Sequence, residues 1–364
     1  MTPGLARAVA GSCATLILGA SAGAERRLDA GRAYLTDTFH LTQDDLERID
    51  RGSVVARTMR AGDRREIATL GIVRMRITPE FYTQGFDDIA SFKRDAAILQ
   101  IGTFGRPPTM EDVAGLTLDE ADIRALRECR VGSCELQLSA DAIRRFGQLD
   151  WRRADARDRA DALMRQILVE YVTEYLRAGA TAAMEYADQP EPLNLQREFL
   201  ALADSTLAGW PVFPALRRHL AQFPSTTETD VNDLLYWSKE KIGRKGVASV
   251  THVAISRPED DSPVEYAIAS KHLYGTHYYD ASLGMTVLVR DAASPTAATF
   301  VVYVNRSRID VFDGLFGGLT RKIVSGRART TVSSQLARMQ GALEREFAGG
   351  RGSEARHERE SGQP

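Results

Sequence analysis

The side chains best suited to chemistry gather between Trp237 and Asp280. Four of the six lysines (Lys239, Lys241, Lys245, Lys271) and three of the six histidines (His252, His272, His277) lie there, with a run of tyrosines. Elsewhere Arg fills nearly every basic position, so Lys kept in one stretch points to a need for a compact ammonium on a flexible stem. If the segment from Tyr266 is extended, alternation places Tyr266, Ile268, Ser270, His272, Tyr274 and Thr276 on one face. Ala267, Ala269, Lys271, Leu273, Gly275 and His277 then share the other. The first face carries apolar rings tipped with hydroxyl or imidazole, which suits a ligand cavity with greasy walls and a few orienting polar groups. The small residues of the second face suit close packing beneath a helix. We therefore expect Trp237, Lys241, His252, Tyr266, His272, Tyr274 and Tyr303 to bind a ligand. The plainer account of any single Tyr or His is hydrogen bonding within the fold.

Other chemistries have less support. His272 and His277 fall on opposite faces of an unbent strand, and His252 with Asp280 completes a metal site only after folding. No HExxH pattern is present, so neither metal nor cofactor is expected. There is no Gly-x-Ser-x-Gly elbow, and Ser282 near His277 and Asp280 is too generic for a triad. The alternative reading is an enzyme of undefined reaction that uses His272, Tyr274 and Asp280 for acid-base chemistry, since imidazole titrates near neutrality. A third is a non-catalytic envelope protein that works through its helices. The glycines of Gly314 to Gly318 lack the Lys-Ser/Thr of a phosphate loop.

Residues 230–242 read as a helix capped by Asp230, which would bring Trp237 and Lys241 onto one face at a cavity mouth, facing an anionic head group. Arg321, Lys322, Arg327 and Arg329 form an acid-free basic segment that could touch a membrane surface, or simply face solvent.

At 364 residues, with 43% hydrophobic and 26% charged side chains, the chain can bury a substantial core. A net charge of -2 and the lack of any basic aromatic ladder argue against a nucleic-acid partner. Residues 1–24 read as a cleavable export signal: Arg7, an apolar stretch from Ala8 to Ala20, then two Ala-x-Ala sites ahead of Glu25. The expected location is periplasmic or secreted. There Cys129 and Cys134, separated by a turn containing Gly132, would form a local disulfide.

These side chains need elements to position them. Thr42 to Asp45 reads as a capping box, and 53–59 with 66–77 as a hairpin. Thr78-Pro79-Glu80 starts a helix, with Thr as cap, Pro in the first turn and Glu at the positive end of the dipole. Residues 139–242 look almost wholly helical. Strands follow over 246–257, 264–279, 284–290 and 299–308. Phe316, Val324, Ala328, Val332, Leu336, Met339 and Leu343 then make one apolar stripe on a final helix. The fold class expected is α+β: an antiparallel sheet gripped by a long C-terminal helix, with a large helical insertion. Residues 25–138 and 243–347 would form the sheet domain, 139–242 the insertion and 349–364 a disordered tail.

This order resembles the START-like, helix-grip superfamily (the SRPBCC fold). The resemblance rests on the strand-to-helix junction Ile77 to Tyr82 (ITPEFY) and on the closing strand and helix from Val301 to Leu343, and it covers about half the chain. It implies an apolar cavity between the sheet and the last helix. The function expected is binding of a hydrophobic or amphipathic, lipid-like molecule in that cavity.

Overall fold

The structure is a computed structural model in which residues 30–207, 213–225, 230–258, 262–294, 296–310 and 317–361 are described. The signal-like segment 1–24 and Phe316 lie outside them. Residues 30–39 form a first helix, α1, and α2 follows at Gln43–Asp50. Thr42 caps α2 in a reciprocal capping box with Asp45. Next come β1 (Val55–Thr58), β2 (Glu66–Met75), α3 (Pro79–Gln84), α4 (Ile89–Phe92) and β3 (Ile98–Thr103). Thr78 caps α3, and its side chain accepts from the Phe81 amide as its sequence demands.

A helical segment then intervenes: α5 (Glu120–Glu128), α6 (Ala140–Gly147), α7 (Ala156–Ala178), the short ribbon β4 (Glu185–Tyr186) and β5 (Leu193–Asn194), α8 (Leu195–Leu207) and α9 (Pro214–Gln222). The chain returns to the sheet as a meander, β6 (Val231–Ile242), β7 (Lys245–Ser256), β8 (Val264–Gly275), β9 (Tyr279–Arg290) and β10 (Thr299–Ile309). It closes with α10 (Gly317–Ser361).

Eight strands form one antiparallel sheet in the order β1-β2-β10-β9-β8-β7-β6-β3. The fold is α+β, with the C-terminal helix packed on a large antiparallel sheet, as expected. Helices cover both faces. On one, α1 and α5 to α9 bury two continuous apolar clusters, including Leu35, Phe199, Leu216, Met285 and Val302 in one and Met164, Leu168, Trp237 and Val250 in the other. On the other, Val332, Leu336 and Leu343 of α10, packed along β1 and β2, join one apolar cluster with Val73, Ile268, Leu288 and Val301 and with Tyr82 of α3. Gly71 permits this seat, because a Cβ there would lie 2.5 Å from Leu336 Cδ1 and 2.6 Å from Val332 Cγ1.

Three sequence expectations are corrected. Residues 231–242 form β6 instead of a helix. Their local helical preference yields to pairing on both sides, with β3 and β7, and to a two-residue turn in which Gly243 has φ +62°. The helical insertion accordingly ends at α9. The strand expected over 264–279 is instead the arm of a hairpin that breaks after Gly275, where Tyr278 takes a left-handed φ of 72°, and Tyr279 begins β9. Finally, α10 runs on to Ser361, past the end at 347 expected for the final helix.

Candidate functional site

The two faces of the meander differ in how completely they are sealed. Residues facing α7 to α9, such as Val250, Ala254, Ala267, Ala269, Leu283 and Val302, are fully buried. On the α10 face, Ser249, Ile255, Tyr266, Ser270, His272, Tyr279, Ser282, Tyr303 and Asn305 remain partly exposed. The cause is the position of α10, which lies along β1 and β2 at one side of the sheet and leaves the strands beyond β10 uncapped by its core stripe. From the opposite side the segment after α4 leans over the same face. Asp95 there pairs with Arg338 of α10 at 2.6 Å, and Tyr82 reaches Met339 at 3.5 Å.

The part of this face between α10 and the segment after α4 is lined by half-buried aromatic, aliphatic and hydroxyl groups. Phe86, Phe92, Ile101, Leu234, Tyr266, Tyr303 and Met339 all pack on this cluster while keeping some exposure. Hydroxyls and amides form a polar strip, with Ser282 Oγ 2.8 Å from Ser307 Oγ and 3.2 Å from Asn305 Nδ2.

One charged pair spans this face. Lys93 Nζ donates to the Tyr236 hydroxyl at 2.8 Å and to Glu240 Oε1 at 3.1 Å, and the Ser238 hydroxyl donates to the same carboxylate at 2.9 Å. Burial disfavours both charges, yet the pair prevails: Lys93 is held above and Glu240 below its ordinary pKa. His272 has no such help. Both its ring nitrogens are shielded and lack a hydrogen-bond partner, so burial pushes its pKa down to about 4 and the ring stays neutral. Gly275 makes room for this imidazole, since a Cβ there would stand 2.7 Å from Nε2.

The sealed face contains a second constellation. His219 projects from α9, Asp233 from β6 and His252 from β7, and the two Nε2 atoms approach the same Asp233 Oδ1 at 2.8 and 2.7 Å. Tyr175 of α7 places its hydroxyl 2.9 Å from His252 Nδ1, and the Phe223 ring lies 4.6 Å from that imidazole and 5.8 Å from His219. Burial raises the Asp233 pKa, but hydrogen bonds from both histidines and their charge outweigh it and hold the carboxyl at about 2. Burial lowers the His252 pKa despite Asp233. His219 and Asp233 line a cleft of about 510 Å³ together with Arg106, Arg177, Phe223 and Pro224.

The residues expected to bind ligand therefore divide. Tyr266, His272 and Tyr303 share the half-buried α10 face. Tyr274 does not, because the register of β7 against β8 shifts between Val250 and Thr251 and reverses the alternation after His272. Its ring is buried against Tyr186 and Met164 on the opposite face. Trp237 points the same way, and its indole donates to the Asp112 carbonyl at 2.7 Å in place of standing at a cavity mouth. Lys241, near the end of β6, is exposed to solvent. His252 belongs to the second constellation.

The alternative catalytic set does not converge. His272 lies against Tyr279, while buried Asp280 pairs with Arg65 at 3.3 Å. His277 Nε2 donates to Asp122 Oδ1 at 2.9 Å and its Nδ1 lies 3.1 Å from the Glu135 carbonyl, a structural role. Cys129 and Cys134 are joined in a disulfide.

Sequence reasoning missed Lys93, Tyr236 and Glu240 on the α10 face, and His219 and Asp233 opposite. For Asp233 a signal existed in the two-residue alternation Asp233, Leu235, Trp237, Lys239, which a strand assignment exposes. No protein-family model matches the chain, and no curated protein or solved structure gives a significant match.

Proposed function

We propose that this is an exported protein that binds a hydrophobic or amphipathic small molecule in the recess between the sheet and α10. One observation carries the reading: on the α10 face of β7 to β10 Ile255, Tyr266, Ser270, Ser282, Tyr303 and Asn305 stay partly exposed, while the opposite face of the same strands is almost wholly sealed. A mostly apolar wall with a few fixed polar groups is the usual make-up of a small-molecule site. Tyr266 and Tyr303 supply wall, and the Lys93-Glu240 pair and the serine-asparagine strip supply orientation. The element order on this face, from the strand pair through the Thr78-capped helix to the closing strand and helix, supports the helix-grip resemblance. The Cys129–Cys134 disulfide supports an oxidising compartment.

The test is native mass spectrometry of the full chain for a co-purified lipid, followed by displacement of a fluorescent fatty-acid probe. Tyr303→Ala should weaken probe uptake several-fold with the fold retained by circular dichroism, whereas Lys241→Ala should not change it. Absence of both a co-purified lipid and saturable probe uptake by the wild type would overturn the proposal.

A further inference from the structure

The His219, Asp233 and His252 constellation lies on the other face of the sheet from the recess and is independent of it. We propose that these three side chains form a binding site for one divalent transition-metal ion of the Zn²⁺ class.

The donor set has the required chemistry. Two imidazole nitrogens and one carboxylate oxygen are ordinary first-row ligands, and the combination leaves coordination positions open for water or another ligand. One ligand atom from each residue lies within 4.8 Å of the others. At present the Nε2 atoms are 2.8 and 2.7 Å from Asp233 Oδ1, the spacing of hydrogen bonds. Zinc with ligands at about 2.0–2.1 Å in tetrahedral geometry keeps donor atoms about 3.3 Å apart, so each histidine nitrogen need move only about half an ångström from the carboxylate oxygen, while the two nitrogens already lie within 4.8 Å of each other. A neutral imidazole that binds the ion through Nε2 carries its single proton on Nδ1, so the ring changes tautomer and no proton is lost from it.

Placement supports the same conclusion. Asp233 and His252 sit on adjacent paired strands, where Asp233 aligns with Ala254 and His252 with Leu235, so their separation is fixed by the ladder. His219 is buried on α9 between the core residues Leu216 and Leu220 and the sheet. The Tyr175 hydroxyl can accept the Nδ1 proton that His252 must carry once Nε2 binds metal, which fixes the ring as second partners of metal-bound histidines do. Phe223 packs on both imidazoles and restricts their rotation. The cleft gives access from solvent past Arg106 and Arg177, whose charges favour an anion as the further ligand. His219 Nδ1 has no hydrogen-bond partner, although it is buried.

Chelator-stripped full-length protein titrated with Zn²⁺ alone should bind one ion per chain, and Co²⁺ should produce a visible d–d absorption band that Zn²⁺ abolishes. His252→Gln and Asp233→Asn should each remove both signals. Tyr175→Phe, a positioning change, should retain the one-to-one stoichiometry and weaken affinity by roughly 10- to 100-fold. Because the buried variants could unfold, the wild type is also melted with Zn²⁺ and with Zn²⁺ plus EDTA; a melting temperature raised by the ion and returned by the chelator is expected. No stoichiometric Zn²⁺ binding by the wild type, or equal binding by folded His252→Gln and Asp233→Asn proteins, would overturn the proposal.

Discussion

Replacing His272 with Leu isolates the electrostatics of the recess. The imidazole has two shielded nitrogens and no hydrogen-bond partner, so its protonated form loses hydration and gains no compensating contact. Burial takes its pKa from 6.5 down to about 4. The unfolded chain therefore holds more protons on this residue than the folded chain between these two values. Stability from the neutral ring is fully present above the unfolded value and is lost as pH falls through the folded one. A gap of about two and a half pH units, at about 1.36 kcal/mol each, corresponds to a loss of about 3 kcal/mol. Leu removes the titration while filling similar space. Urea unfolding followed by circular dichroism at steps from pH 7 to pH 4 should show the wild type losing stability relative to His272→Leu by up to that amount. Parallel acid limbs for the two proteins would refute the reasoning.

Leu336→Asp should destabilise by about 3 kcal/mol or more, since it sets an unpaired carboxylate in the contact between α10 and β2; an unchanged thermal melt would mean that α10 does not contribute to the fold. Gly71→Val drives a side chain into Leu336 and Val332 and should cost about 1–3 kcal/mol by overpacking, read in the same melt. Replacing Cys129 and Cys134 together with Ser should lower stability by about 2 kcal/mol, because the closed loop is short; chemical unfolding of the two proteins under oxidising conditions measures it.

Elements with a local cause were legible. Thr42 and Thr78 cap the helices they were expected to cap, the strands from Val55 and Glu66 pair, and Val324, Val332, Leu336 and Leu343 face the sheet. What failed depended on partners distant in the chain. The segment around Trp237 has mixed preferences, and only neighbours β3 and β7 make it a strand. Tyr274 was assigned a face by strict alternation, and one register shift placed it on the other. Lys93 reaches Glu240 across the fold, so no spacing in the sequence could reveal that contact. Tyr266 and His272 do share one face, because the pairing with β9 is regular from Tyr266 to Lys271 and period two holds over that stretch.

The seams that join the N-terminal strands to the meander bear on the order of assembly. Strands β6 to β10 succeed one another and can pair as each is made. By contrast β3 must wait for β6, with Ile98 meeting Glu240, and β2 must wait for β10, with Met75 meeting Thr299. Contacts between such distant residues carry a large loop-closure cost until their neighbours are in place, which slows folding. During synthesis the β1-β2 hairpin and β3 leave the ribosome with unpaired edges, the surface through which nascent chains aggregate. A sheet that cannot close before its last strand has emerged folds after translation, and shielding of those edges in the interval becomes part of its biogenesis.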